Sequence, residues 1–452
     1  MASPLGNFEL DMSYLHSIVS AHGVQEVPKV KCAETSSSFQ NLPWTYFPAI
    51  VEDTSIPPWT ADSLLERFPR RRFRLDDNHP KKIRLHKFFE YLNRNSNGDR
   101  MPLYIFDSQC WSSRRDSGVL SKEYLPPTWL LPRCLENDMF SACPSRRRPP
   151  WRWLLLGGQR SGWGIHKDPL ATSAWNTVIQ GLKLWVIFPP HTPKDMLFPP
   201  SDKNAGSNAE EGQGSFVSKS RNPGDEKLAA TETSETSPGI DGAAGVGELK
   251  LQLQLPLQHQ EEEESGGYEW LLSVFPSIAA RLPEGTWPRD CTPMACLQHP
   301  GTTIWIPAGW WHVAVNVADE PTLAVTENLA LQRDLPSVAA HCVREEPGFA
   351  ARLFSSPLLP PALRAEAAVA IEALLLETAS GSWEAAVYQQ RDPADVEQLC
   401  RQLLEGLRAA CAAETGAETG AARALQHSYP SSSDSSGDSS CDERDVGGDL
   451  SQ

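Results

Sequence analysis

His166 and Asp168, in the run Gly164–Pro169 (GIHKDP), are separated by one residue, and in an extended segment such a pair projects to one side of the chain. An imidazole and a carboxylate so placed can bind a single ion. With a second imidazole from a distant strand they make a 2-His-1-carboxylate set, which leaves three positions on Fe(II) open for oxygen chemistry. Taken alone the pair says little, because a chain with 11 His produces a His-x-Asp by chance, and the ordinary reading is then a solvated loop. The candidate third ligand is His312, in GTTIWIPAGWWHVAVNV (Gly301–Val317). On a strand it shares a face with Ala314 and Asn316, while Trp311, Val313, Val315 and Val317 pack on the other side. A lone strand histidine is more often structural, and it is the pairing with the first stretch that gives this one weight.

The surrounding residues supply elements that could hold these side chains. Gly157, Gly158, Ser161, Gly162 and Gly164 make a tight approach to the first pair. Trp175–Ile179 reads as a buried strand, Gly181 turns the chain, and Lys183–Phe188 reads as a second strand stopped by Pro189 and Pro190, antiparallel to the first. On the former, Asn176, Val178 and Gln180 share a face; on the latter, Lys183, Trp185 and Ile187 do. A lysine in so apolar a strand must meet an anion or snorkel to water. Downstream, Thr303–Ile306 and Trp311–Val317 read as strands around a Pro307–Gly309 turn. Upstream, Trp59–Phe68 reads as a helix with Thr60 as N-cap, and Leu85, Phe88, Phe89 and Leu92 give the Arg84–Arg94 helix one apolar face for the barrel. Between them, Arg70, Arg71, Arg72 and Arg74 read as a solvated strand edge, or else as a nuclear signal or substrate-facing patch. Pro102–Asp107 reads as a core strand on which the Tyr104 hydroxyl reaches either a ligand or backbone.

Five blocks carry a resemblance: PLYIFDS (Pro102–Ser108), RRPPWRW (Arg147–Trp153), GIHKDPLATSAWNTVIQGLKLWVIFPP (Gly164–Pro190), PGTTIWIPAGWWHVAVNV (Pro300–Val317) and TLAVTENLA (Thr322–Ala330). In this order they resemble the JmjC-domain Fe(II)/2-oxoglutarate oxygenases, nearest the bifunctional arginine demethylase and lysyl-hydroxylase branch. The resemblance spans Trp59 to Ala330 apart from one insertion. It implies a mainly β protein, a double-stranded β-helix of the jelly-roll or cupin kind, with flanking N-terminal helices and a C-terminal helical region. It makes His166, Asp168 and His312 the iron ligands and catalytic centre, and Tyr104, Asn176, Lys183 and Thr326 the residues that hold the cosubstrate 2-oxoglutarate. Lys183 would pair with the distal carboxylate. Asn328 is a further pocket-lining candidate, and O2 is the second cosubstrate. The implied activity is hydroxylation of lysine side chains or demethylation of N-methylarginine in Lys/Arg-rich protein substrates, in the nucleus. Trp163 departs from the pattern, standing where a small or hydroxylated residue is expected, and leaves the shape of the substrate mouth open. Two other readings are a noncatalytic cupin scaffold and a JmjC hydroxylase acting on RNA or a small molecule. The complete ligand set weighs against the first and the lack of a basic, aromatic platform against the second.

Bulk properties bound the rest. The chain has 452 residues, 40% of them hydrophobic, with 38 Pro and 30 Gly, which fits a folded domain diluted by polar linkers. The expected division is a poorly defined segment 1–58, a catalytic domain 59–330 interrupted by an acidic, disordered insertion 202–267, a helical region 331–411, and a disordered Ser/Asp-rich tail 412–452. The formal charge of −16 argues against a bulk phosphate-binding surface, so nucleic acid is not indicated, and it permits basic protein partners. Ten Cys without a CxxC pair point to a reduced intracellular compartment, and no apolar run is long enough for membrane insertion. Near the C-terminus, Asp392 and Pro393 start a helix whose Val396, Leu399, Cys400, Leu403 and Leu407 form one stripe. That stripe needs a partner: the barrel, the Ala365–Leu376 helix, or a second copy in a homodimer.

Overall fold

The computed structural model describes residues 8–31, 43–52, 54–75, 81–94, 99, 101–112, 118–124, 126–127, 138–143, 148–199, 266–379 and 393–427. Its strands are β1 (Gln25–Glu26), β2 (Lys29–Lys31), β3 (Ala49–Glu52), β4 (Arg72–Arg74), β5 (Lys82–Arg84), β6 (Tyr104–Asp107) and β7 (Arg152–Gly157). They continue as β8 (Gly162–His166), β9 (Ser173–Gln180), β10 (Lys183–Phe188), β11 (Met294–Gln298), β12 (Thr303–Ile306), β13 (Trp311–Asn316) and β14 (Thr322–Leu329). A five-stranded sheet runs β1-β11-β10-β13-β8 and a seven-stranded sheet β2-β3-β12-β9-β14-β7-β6. This is the expected double-stranded β-helix with added helices.

The strands on either side of Gly181 do not pair with each other. β9 lies in the seven-stranded sheet between β12 and β14, and β10 in the five-stranded sheet between β11 and β13. Gly181, at φ +86°, carries the chain from one sheet to the other where any Cβ would collide with Thr322. The Pro307–Gly309 turn does the same between β12 and β13. Antiparallel hairpins expected from the turn residues are thus sheet crossings, and that is what wraps the two sheets into a β-helix.

Alternation then sorts the side chains. Leu184, Val186 and Phe188 of β10 and Val313 and Val315 of β13 face outward, where Trp270, Leu271, Phe275 and Ile278 of the helices Gly267–Ser273 and Phe275–Glu284 cover them together with Leu15 and Ile18. Each such large side chain contributes roughly 1.5–3 kcal/mol on burial. Lys183, Trp185, Ile187, His312, Ala314 and Asn316 are left on the inner face. On the seven-stranded sheet, Trp153, Leu155, Val178 and Ala324 cluster with Tyr104 and Phe106.

The upstream helices form where periodicity places them. Ala61–Arg67 is capped by Thr60, whose side chain accepts from Ser63 N while the Ser63 hydroxyl accepts from Thr60 N. Leu85–Arg94 buries Leu85, Phe88 and Phe89. The arginine run holds β4, paired with β5, and Arg74 N donates to Asp107 at 2.9 Å.

The chain divides into two compact units. The first comprises Met1–Thr128, Arg152–Lys167 and Trp175–Glu327; the second comprises Trp129–Trp151, Asp168–Ala174 and Asn328–Gln452. Within the second, the helices Leu335–Glu345, Pro347–Phe354, Pro361–Ala379 and Pro393–His427 share one core that includes Val338, Cys342, Phe349, Ile371 and Leu374. Val396, Cys400, Leu403 and Leu407 are buried in that core, so the apolar stripe finds its partner on helices of its own unit. The final helix continues past residue 411 to His427. The insertion 202–267, apart from Gly266 and Gly267, lies outside the described residues, as do Asp392 and the tail beyond His427. Among the described residues no helix is long and apolar enough to cross a membrane.

Candidate metal and cosubstrate site

β8 and β13 are adjacent antiparallel strands, and their register sets His166 directly opposite His312, with ring centroids 4.3 Å apart. A bulge lies between His312 and Ala314 in this pair. It shifts the register so that Trp163 stands opposite Ala314, on the face that His312 also uses. The bulge depends on Gly162, at φ +153°, because a Cβ there would run into the Ala314 carbonyl.

Both imidazoles are oriented by backbone. His166 Nδ1 lies 2.8 Å from the Gly164 carbonyl and His312 Nδ1 lies 3.1 Å from the Trp310 carbonyl. A carbonyl only accepts, so each Nδ1 carries the proton and each Nε2 keeps the lone pair that a metal requires. Trp185 packs beside His312 at 5.9 Å between ring centroids, and its Nε1 donates to Gln298 at 2.8 Å. One residue, Lys167, separates His166 from Asp168, so chain continuity brings the carboxylate to the imidazoles. Ligand atoms of His166, Asp168 and His312 all lie within 4.8 Å of one another.

Asn328, the further pocket-lining candidate, also makes two contacts of its own. Its Nδ2 donates to Asp168 Oδ1 at 2.9 Å and to Thr172 Oγ1 at 3.0 Å. It holds the carboxylate, a role that its spacing two residues past Thr326 did not reveal.

The remaining expected residues fall on the inner faces. Lys183 is 2% exposed, and its ammonium donates to Asn316 Oδ1 at 2.9 Å and to the Tyr104 hydroxyl at 3.1 Å. Burial pulls its pKa down to about 7 and pushes the Tyr104 phenol up. Lys183 therefore does not snorkel; it ends inside the barrel. Asn176 is buried on β9, and its Oδ1 has no hydrogen-bond partner among the described residues. Thr326, on neighbouring β14, donates to the Trp175 carbonyl at 2.9 Å. Sequence reasoning passed over Asn316 and Ser161, which extend the lysine cluster: Asn316 Nδ2 donates to Ser161 Oγ at 2.9 Å, and Ser161 Oγ in turn donates to the Gly158 carbonyl at 2.6 Å. The available signal was alternation, since Asn316 shares the His312 face and stands opposite Lys183 on β10. Trp163, 38% exposed, sets its ring edge-to-face on Phe106 at 5.4 Å and lies 6.3 Å from the His166 ring.

A double-stranded β-helix with a His-x-Asp pair and a distant strand histidine on its inner face defines a cupin-type barrel with a candidate mononuclear metal site. Comparison with known proteins agrees: residues 26–328 match the cupin-like domain family, and the chain belongs to that family. It is 29% identical over 292 residues to the bifunctional arginine demethylase and lysyl-hydroxylase psr-1 of Caenorhabditis elegans, which covers 64% of this chain and 56% of psr-1. It is also similar to two Arabidopsis thaliana proteins. The lysine-specific demethylase JMJ21 is 28% identical over 64% of this chain and 23% of its own length, and the arginine-specific demethylase JMJ22 is 26% identical over 63% and 41%. The chain thus spans little more than half the length of psr-1 and less of the plant proteins.

Proposed function

We propose that the chain is an Fe(II)- and 2-oxoglutarate-dependent dioxygenase that modifies lysine or N-methylarginine side chains of proteins. The observation that carries this reading is the convergence of His166, Asp168 and His312 within 4.8 Å, with both imidazoles turned by backbone carbonyls to offer Nε2. Two nitrogens and one carboxylate suit a borderline divalent ion and leave room for other ligands. The buried Lys183 ammonium suits the distal carboxylate of a dicarboxylic acid, and the buried Asn176 amide, with Oδ1 unsatisfied, suits a polar ligand beside it.

When bound, Fe(II) with 2-oxoglutarate and O2 supplies oxidative decarboxylation to succinate coupled to hydroxylation of a C–H bond. The chain's own residues bind and orient. His166, His312 and Asp168 hold the ion, and Asn328 fixes the direction of the carboxylate. Lys183 pairs with the distal carboxylate while the Tyr104 hydroxyl and Asn316 position its ammonium. Trp185 and Ile187 exclude water on the β10 side. Trp163, Phe106 and Trp153 form an aromatic wall near His166. A hydroxylated lysine carbon is a stable product, whereas a hydroxylated N-methyl group breaks down to formaldehyde and the demethylated nitrogen, so one oxidation serves both outcomes.

In this reading residues 59–330 are the catalytic domain and 202–267 an insertion that the chemistry does not need. An intracellular, nuclear setting belongs to it too, and the seven described cysteines are thiols rather than disulfides, as a reducing compartment favours. The test is turnover by the purified full chain with peptides rich in lysine or N-methylarginine, analysed by mass spectrometry and formaldehyde release. A gain of one oxygen on lysine or loss of a methyl from arginine supports the reading. Succinate formation that no such peptide stimulates, but that RNA or a small molecule does, would reassign the substrate.

A further inference from the structure

A second set of metal donors converges on two proline-bracketed turns of the first unit. β10 runs into Pro189, Pro190, His191, Thr192 and Pro193, and the turn from Pro288 to Pro293 ahead of β11 carries Asp290 and Cys291. His191 Nε2 lies 3.5 Å from Asp290 Oδ2, and one donor atom each from His191, Asp290 and Cys291 falls within 4.8 Å of the others. The backbone of both turns is fixed: Thr192 N donates to the Pro189 carbonyl at 3.1 Å, Cys291 N donates to the Pro288 carbonyl at 3.0 Å, and Trp287 Nε1 donates to the Cys291 carbonyl at 2.8 Å.

Exposure is divided unevenly among the donors. Cys291 is 3% exposed, whereas the side chains of His191 and Asp290 are 56% and 73% exposed, so a buried sulfur sits beneath two solvent-facing arms that an ion can reach. Thr192 supplies an independent observation. It is 3% exposed and its hydroxyl has no hydrogen-bond partner among the described residues, while burial pushes the neighbouring Cys291 thiol up, so the charge of a bound ion is what would make that sulfur a thiolate. A buried hydroxyl left unsatisfied next to the donor set is a group that a metal-bound water or thiolate can satisfy.

We propose that His191, Asp290 and Cys291 bind a divalent transition ion of the zinc class, with water in the fourth position. One thiolate, one imidazole and one carboxylate match the ligand types of tetrahedral zinc, and their two negative charges neutralise the ion. The thiolate also separates this site from the candidate iron centre, whose three ligands are nitrogen and oxygen, because sulfur prefers zinc to Fe(II). A bound ion would clamp the turn after β10 to the turn before β11. The Thr192 carbonyl accepts Trp311 Nε1 at 3.1 Å, so the clamp stiffens the start of β13 next to His312 without donating a ligand to that centre.

The test uses the full chain titrated with Co(II), read by the thiolate-to-cobalt charge-transfer band, together with metal content after zinc loading by native mass spectrometry. The candidate iron centre has no sulfur and is silent in that band. Expected is a band that saturates with one equivalent, persists in Asp168→Ala, and vanishes in Cys291→Ser, whose zinc content falls by one ion. His191→Ala changes an exposed arm and leaves the core intact, and is expected to weaken cobalt binding about tenfold or more. A wild-type chain without the band, or a band undiminished in Cys291→Ser or in His191→Ala, would overturn the assignment.

Discussion

Lys183→Met removes an ammonium from the barrel while keeping much of its stem volume, and it separates the lysine's role in binding from its effect on folding. Lys183 is 2% exposed, and burial lowers its pKa from 10.5 to about 7. A shift of that size means the charged form carries a folding penalty on the order of 5 kcal/mol below pH 7. Between pH 7 and 10.5 the folded protein holds fewer protons than the unfolded chain, so wild-type stability rises with pH through this window. The methionine variant has no such slope. Its loss of the bonds to Asn316 and Tyr104 subtracts roughly 1–3 kcal/mol. The ligand-free variant should therefore exceed wild type by about 2 kcal/mol at pH 6, with the gap closing by about 2 kcal/mol at pH 8.5. Binding moves the opposite way. Loss of one partner of a buried charge pair costs about 2–5 kcal/mol, so 2-oxoglutarate should bind roughly 30-fold to several thousandfold more weakly. Urea unfolding at the two pH values and calorimetric titration of the metal-loaded protein measure both quantities. A variant less stable than wild type at pH 6, or one with unchanged 2-oxoglutarate affinity, would refute the reasoning.

Three further substitutions probe separate parts of the site. Asn328→Ala removes the donor on Asp168 Oδ1 and should lower metal affinity about 10- to 100-fold, read by metal titration; equal affinity would show that the carboxylate needs no support. Gly162→Ala drives a Cβ into the Ala314 carbonyl and should destabilise the fold by about 3 kcal/mol or more in urea, whereas a near-neutral result would contradict the bulge geometry. Trp163→Thr removes the exposed ring beside Phe106 and should raise the peptide KM about fivefold, the equivalent of about 1 kcal/mol of aromatic contact, with little change in kcat. A matching fall in kcat would place Trp163 in the chemistry instead.

Much of this was legible in the sequence because period-2 alternation is a local property. Residues two apart on one strand share a face whatever the strand pairs with, so His312 was placed with Asn316, and Lys183 with Trp185, without knowledge of the sheets. The pairing itself was not legible. Gly181 announces a turn, but the same residue serves a hairpin and a passage between sheets, and only the packing of β9 against β14 decides for the passage. The contact of Asn328 with Asp168 was not legible for a related reason: that partner comes from a segment 160 residues earlier, a distance no local pattern spans. The apolar stripe from Val396 to Leu407 was visible as a stripe, and its partner was a choice among three that only the shared core with Ile371 and Leu374 resolves.

The most direct test of the central claim is 2-oxoglutarate turnover by the full chain with Fe(II) and O2, with succinate counted in wild type and in Asp168→Ala. Asp168 is one of the three groups whose ligand atoms converge within 4.8 Å, and no other described carboxylate joins that set. The account predicts Fe(II)-dependent succinate from wild type and none above background from the variant, in protein whose unfolding midpoint is preserved. Undiminished succinate from Asp168→Ala would contradict it.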